Sequence, residues 1–186
     1  MQPDERHLKE MIAQLDQLHQ DALELETKFS PAIRQVHPSF RKSARNLLHY
    51  LSLRQHDIRT LQESLAKLGL SSLGRAEGHV LASLQAVHDM LCHLLECSPI
   101  KKQVAVSYTE SGELLDNHTN ELLGLAPEKR NTRIMVTFSK DLADDHELVK
   151  RMLLAGMDCA RINCAHDDEK VWSSMVQSIK KAEQET

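Results

Sequence analysis

Aromatic residues are nearly missing from this chain. Among 186 residues there are one Trp, two Tyr and three Phe, 3% of the total. A core without rings must be built from Leu, Val, Ile, Met and Ala, which favours helices over a β-sandwich. The same scarcity argues against a surface that stacks bases of single-stranded nucleic acid. No apolar run approaches the ~20 residues of a membrane-spanning helix. The opening residues, MQPDERHLKE, are charged and lack the apolar stretch of a secretory signal. The four cysteines, Cys92, Cys97, Cys159 and Cys164, form no C-x-x-C pair. Reduced thiols in a cytoplasmic protein are the expectation. A nucleophile elbow, a P-loop and an H-E-x-x-H motif are all absent, and no membrane partner is expected.

Charge is present but segregated. The net charge is −4. Residues 1–29 carry −4, residues 30–75 carry +6 and residues 76–186 carry −6. The middle stretch is a basic island of Arg34, Arg41, Lys42, Arg45, Arg54, Arg59, Lys67 and Arg75. Such an island is either a solvated helical face docked on the acidic segments of the same chain or a binding surface for a polyanion.

Leu8, Met11, Leu15, Leu18, Ala22, Leu25 and Phe29 recur at spacings of three and four, a heptad seam that predicts one helix over about 4–29. Such a seam packs inside the chain or against a second copy. Ser30-Pro31 reads as a helix start, and His37-Pro38 as an interruption. A further helix is predicted from about 38, with Phe40, Ala44, Leu47, Leu48 and Leu51 on its buried face. Asp57 reads as the next cap, before Ile58, Leu61, Leu65 and Leu68, with Gly69 as the stop. The next helix is predicted over about 73–97, carrying Val80, Leu84, Val87, Leu91 and Leu94, and ended by Ser98-Pro99. Residues 101–109 alternate and read as a short strand or a loop pinned on the bundle. A helix over 110–123 ends at Gly124. This gives a helical domain over 1–125 and a linker over 126–131.

After the linker the rhythm changes. Residues 133–138, RIMVTF, form a continuous apolar run expected of a strand buried on both faces. Leu148, Val149, Met152 and Leu153 mark a helix that ends at Gly156. A second strand follows in MDCARINCAH, residues 157–166, and a helix over 168–185 carries Trp172, Met175, Val176 and Ile179. The order β-α-β-α predicts two parallel strands. In the second strand Ala160, Ile162, Cys164 and His166 share one face and should meet the helices. Cys159, Arg161, Asn163 and Ala165 share the other. Ligands of parallel α/β folds bind at the C-terminal strand ends. A guanidinium buried there needs a carboxylate or a phosphate.

Residues 132–185 resemble the first β-α-β-α unit of a pyruvate kinase barrel. Gly156-Met157, Ala160-Arg161, Asn163 and His166 fall in register with the family pattern Gly-Met-x-x-Ala-Arg-x-Asn-x-x-His. The resemblance implies a TIM-type barrel fragment over 132–186. It also implies transfer of a phosphoryl group between phosphoenolpyruvate and ADP, with Mg²⁺ and usually K⁺ as cofactors of the complete enzyme. By the same resemblance Arg161 faces the transferring phosphate, and Asn163 and His166 lie on the nucleotide and cation side. Ala165 stands where the family has a serine that serves K⁺, and Ser139-Lys140-Asp141-Leu142 replaces its Gly-Pro turn. The family's lysine and metal-binding carboxylates lie on later strands, so these residues alone imply no catalysis and no bound cofactor. The expectation is the opening part of a longer pyruvate-kinase-like protein behind a regulatory or oligomerising helical domain. Its partners would be the rest of the barrel or a second copy, because two strands with open edges are unstable alone.

The alternative is a non-catalytic helical module that binds nucleic acid or another polyanion through residues 34–75. Residues 65–84 faintly resemble a helix-hairpin-helix. Ser71, Ser72, Gly74 and Arg75 would offer amides, hydroxyls and a guanidinium to a phosphate, with Arg41, Lys42 and Arg45 nearby in sequence. Ser71 and Ser72 as plain N-caps explain the same residues. His88/Cys92 and His93/Cys97 have zinc-like i, i+4 spacing. The two pairs point about 140° apart, so one helix cannot gather all four. Core thiols and surface histidines are expected there, with no metal. His49, His56 and His79 read as pH-sensitive surface residues.

Overall fold

A computed structural model describes residues 4–97, 104–128, 130 and 132–186. It is mainly helical, 66% helix in eight helices among the described residues, with one two-stranded parallel sheet. The chain divides into two units, Met1–Leu115 and Asp116–Thr186.

The first unit opens with α1, Glu5–Lys28, where Asp4 caps the N-terminus by accepting from the Arg6 N–H. Leu8, Met11, Leu15, Leu18 and Ala22 are buried as the heptad seam requires. The seam stops there: Phe29 is exposed because it ends α1 and starts α2, Ser30–Gln35. A short 3₁₀ turn at Pro38–Phe40 leads into α3, Arg41–Leu53. After α3 comes α4, Arg59–Lys67, which Asp57 helps to cap through the Arg59 N–H. Gly69 ends α4 at φ +70, with Leu70 N bonded to Leu65 O. Next is α5, Val80–Leu94. Leu61, Leu65, Val80, Leu84 and Leu91 join the α1 seam in one aliphatic core, each at most 2% exposed.

Two expectations fail in this unit, on α3 and on α5, each for a physical reason. The predicted face of α3 is mostly turned outward: Phe40, Leu47 and Leu51 are 46%, 55% and 46% exposed and Ala44 and Leu48 are half-buried, while Asn46, His49, Ser52 and Leu53 are buried. The inward side chains have polar partners waiting, described below. The helix predicted from 73 begins seven residues later, at Val80. Leu73 adopts φ +60, which no helix accepts, and Asn46 Oδ1 caps the Val80 N–H at 2.9 Å. Its far end also frays from the core, since Leu94 is 51% exposed. Ser98-Pro99, the predicted stop, lies outside the described residues. In 101–109 only 104–109 are described, and they form no strand. Val106 is buried and Val104 packs on the core, so this is the pinned loop, and Tyr108 already begins α6, Tyr108–Leu123.

The division between the units falls within α6, which ends at Gly124 with φ +80. The second unit then runs β1, Met135–Phe138; α7, His146–Leu154; β2, Cys159–Ile162; and α8, Glu169–Glu185. Asp145 and Asp168 cap α7 and α8 with their carboxylates. β1 and β2 are parallel, with Thr137 opposite Arg161 and Phe138 opposite Ile162. Val136, Phe138, Ala160 and Ile162 pack with Val149 and Met175 in a second core. That matches the predicted facing of β2. Burial on both faces of β1 does not hold: Met135 is 50% exposed and Thr137 is exposed too, because the helices cover only one side of the sheet.

Candidate functional site at the strand ends

The parallel pair brings two turns together at its C-terminal end. After β1, Ser139 leads into a 3₁₀ turn over Lys140–Ala143, closed by the Leu142 N–H on Ser139 O. After β2, Asn163 Oδ1 accepts the Ala165 N–H at 3.2 Å and Asn163 O accepts the His166 N–H. The Trp172 indole donates to His166 O at 2.8 Å, which ties the turn to α8. Asp167 follows at φ +63, and Asp168 caps α8 through the Lys170 and Val171 N–H groups. Between the turns lies a cavity of about 270 Å³. Its floor includes Phe138 and Met175, and its polar lining is Thr137, Ser139, Lys140, Asn163, His166 and Asp167.

Two of the three predicted residues therefore meet. Asn163 and His166 line the cavity, and Arg161 does not. Arg161 is exposed on the open face of the sheet, so the expected buried guanidinium with an obligatory partner is not what the fold builds. Sequence reasoning passed over Lys140, which stands at the mouth of the turn after β1 and supplies an ammonium. The signal was available: a lysine just past the C-terminal end of a parallel strand.

Arg130 was also missed, being taken as linker. Its Nη2 donates to Gly156 O at 2.5 Å and to Asp158 Oδ2 at 2.6 Å. Asp158 Oδ2 also accepts the Ile134 N–H at 2.6 Å. This cluster pins the start of both strands to the turn after α7. Gly156 takes φ +99, a conformation that favours glycine; a Cβ there would make only ordinary contact with Arg130 Nη2, at 3.5 Å.

Three of the eight cations of the basic island, Lys42, Arg45 and Arg59, are paired with acids of the same unit. Arg41 donates to Val36 O and Arg34 O at 3.0 Å each, holding the end of α2. Lys42 pairs with Glu110, Arg45 with Glu26 at 3.4 Å, and Arg59 with Asp57. The Lys42 ammonium holds the Glu110 carboxyl below its usual range, and Arg59 holds Asp57 down at about 2. No helix-hairpin-helix forms: residues 68–79, with turns at 74–75 and 77–78, separate α4 from α5. Ser71 and Ser72 are not helix caps. Ser71 Oγ accepts the Leu73 N–H and Ser72 O accepts from Gln62. Gly74 lines a cavity of about 480 Å³ that also holds Arg54, Asp57, Arg59 and Glu77, a mixed lining rather than a basic one. Arg75 is exposed.

The histidines are not the surface groups expected. His49 is 1% exposed and its Nε2 lies 2.7 Å from Glu26 Oε2. Burial lowers its pKa; Glu26 opposes that shift and Arg45 adds slightly to it. His56 pairs with Asp21 at 3.2 Å, and His88, also buried, with Asp16 at 3.3 Å. Three acids on α1 thus each meet an imidazole from elsewhere in the unit. His79 is half-buried, edge-on to Tyr108 at 4.8 Å. Of the four residues with zinc-like spacing, Cys92 is buried, while His93 and Cys97 are exposed. Among the described residues one group of potential metal ligands converges, His146, Glu147 and Glu185, with ligand atoms within 4.8 Å. Lys150 already stands 3.0 Å from Glu185 and lowers its pKa. No helix among the described residues is long and apolar enough to cross a membrane. Compared with protein-family models, with curated proteins and with solved structures, the chain finds no match.

Proposed function

We propose that residues 132–185 are the opening β-α-β-α unit of a pyruvate-kinase-like barrel, and that their strand ends hold the anionic groups of phosphoenolpyruvate or ADP. The observation that carries this reading is the cavity at the C-terminal end of β1 and β2, lined by Lys140, Asn163 and His166. Phosphoryl transfer is mainly charge positioning, and Lys140 with the His166 imidazole supplies donors of the right kind. Arg161, outside the cavity but on the same strand, would serve a phosphate approaching over the open face of the sheet. Catalysis belongs to a complete barrel, whose later strands carry the family's lysine and metal-binding carboxylates. The helical unit is then a non-catalytic domain in front of it.

The residues present do not fit a monovalent cation. Ala165 offers no side-chain oxygen, and Asn163 Oδ1, which already accepts the Ala165 N–H, would be a lone side-chain amide ligand. Mg²⁺ would need carboxylates beyond Asp167, the only one lining the cavity among the described residues. No step of this reading runs through either ion.

The test is titration of the full chain with phosphoenolpyruvate and with ADP, followed by NMR at the Asn163 and His166 side chains. A partial site should bind weakly, with a Kd of about 1 mM, roughly −4 kcal/mol. Lys140→Ala should abolish the shifts and leave the fold unchanged. Shifts that are absent at saturating ligand, or that survive Lys140→Ala, would overturn the proposal.

A further inference from the structure

We infer that Cys92 and Cys97 form a reversible intramolecular disulfide, with Cys97 as the thiol attacked by a peroxide and Cys92 as the thiol that resolves it. The pair is assembled by the way α5 stops. The Cys97 N–H bonds Cys92 O at 2.9 Å and the Glu96 N–H bonds His93 O at 3.2 Å, with Glu96 at φ 52. That is a Schellman closure, whose geometry sets the side chain two residues past the cap against the one in the last turn. Here both positions are cysteine. The left-handed position between them is a glutamate, where glycine is usual, so the sequence holds this turn without the residue that makes it easy.

The two thiols differ in the way such a pair needs. Cys92 is buried beside the His88 ring, with Sγ 3.8 Å from Nδ1. Burial first, and then the contact with Cys97, pushes its thiol up to about 11. Cys92 is therefore a poor first nucleophile but is held in place for the second step. Cys97 is exposed. A solvent-facing thiol is the one an oxidant reaches first.

The chemistry balances with one molecule of hydrogen peroxide. The Cys97 thiolate attacks a peroxide oxygen, the O–O bond breaks, and hydroxide leaves and is protonated to water. Cys97 is now a sulfenic acid. Cys92 gives up its proton, its Sγ attacks the Cys97 sulfur, the S–O bond breaks and a second water departs. Two thiols lose two electrons and the peroxide gains them. A dithiol reductant returns the pair to its starting state.

The experiment uses the full chain, treated with hydrogen peroxide, alkylated and digested with trypsin, which has no cleavage site between the two cysteines. The peptide holding both should appear two hydrogens lighter and unalkylated, and dithiothreitol should restore two alkylation sites. Cys92→Ser should leave a sulfenic acid at Cys97 that dimedone traps, whereas Cys97→Ser should leave Cys92 reduced. Exposed Cys164 serves as the oxidation control. Both cysteines still alkylated after Cys164 has been oxidised would overturn the inference. So would Cys97 oxidised to sulfinic acid beside a free Cys92, or a Cys97 bond between two chains.

Discussion

Replacing Asn46 by alanine should cost the helical unit more than removing most of its surface charges. Asn46 sits on α3 at 7% exposure and reaches out of its own helix. Its Oδ1 accepts the Val80 N–H at 2.9 Å, and its Nδ2 donates to Glu77 O. Val80 is the first residue of α5, so its N–H has no partner within that helix. Val80 is fully buried, so water cannot take the place of the amide. An orphaned buried donor costs about 1–3 kcal/mol, and loss of a capping side chain about 1 kcal/mol. Glu77 is exposed and its carbonyl can be rehydrated, adding little. Both figures price the same lost bond, so the cost is about 1–3 kcal/mol, which for a chain of this size lowers Tm by roughly 2–12 °C. Asn46→Asp separates the two bonds. It keeps the acceptor for Val80, adds a charge favoured at a helix N-terminus, and loses only the donor to Glu77. Urea unfolding followed by circular dichroism should rank the proteins wild type, then Asn46→Asp, then Asn46→Ala. Hydrogen exchange at the Val80 amide should accelerate only in the alanine variant. If Asn46→Ala lies within about 0.5 kcal/mol of wild type, or Asn46→Asp is the worse of the two, α5 is not held by this contact and the reasoning fails.

Three further outcomes are expected. His49 is depressed by burial, so folding favours its neutral form: its contribution is intact above the unfolded value of about 6.5 and is lost as pH falls from there towards the folded value, at up to ~1.4 kcal/mol per pH unit. Urea midpoints across that range should show the slope, and His49→Gln should flatten it. Gly156→Ala, at φ +99 and against the Arg130 guanidinium, should destabilise the second unit by about 1–2 kcal/mol, whereas Gly112→Ala, with nothing within 4 Å in the middle of α6, should stabilise by up to about 1 kcal/mol; thermal unfolding of the two variants reads opposite signs. Because Glu26 and Glu110 already neutralise Arg45 and Lys42, the chain should leave heparin below physiological salt, and changing Arg41, Lys42 and Arg45 together to Ala should shift that elution little. Strong retention that the triple change abolishes would instead favour polyanion binding.

The parts of this fold that could be read from the sequence are those fixed by neighbours in the chain. The α1 seam from Leu8 to Ala22 is legible because its spacing alone selects one face. Gly69, Gly124 and Gly156 mark three helix ends because only glycine is comfortable at φ near +70 to +100. The facing of β2 follows from alternation, which sends Ala160 and Ile162 inward. What stayed hidden depends on residues far away in sequence. The start of α5 is set by Asn46, 34 positions earlier. The anchoring of both strands is set by Arg130, in a stretch whose composition says only linker. At the candidate site, Asn163 and His166 were legible from the strand's polar end. The absence of Arg161 from the cavity was not, because alternation gives a face and not what covers it.

Helix α3 shows why periodicity could not decide its own orientation. Phe40, Ala44, Leu47 and Leu51 recur at helical spacing, and so do Asn46, His49, Tyr50 and Leu53. Hydrophobic burial alone selects the first set, at roughly 1.5–3 kcal/mol for each large side chain covered. The second set is what the fold covers. Leu53 and Tyr50 still join the aliphatic core, so part of that gain is kept. Its polar members bring something the apolar set cannot. Asn46 completes the first turn of α5, and His49 bonds the Glu26 oxygen that Arg45 leaves free. With the apolar face turned inward, the Val80 N–H would lose its acceptor and Glu26 its imidazole, and two other helices would have to find new partners. The orientation of α3 is therefore a property of the bundle rather than of the helix, decided by which buried polar groups elsewhere need satisfying.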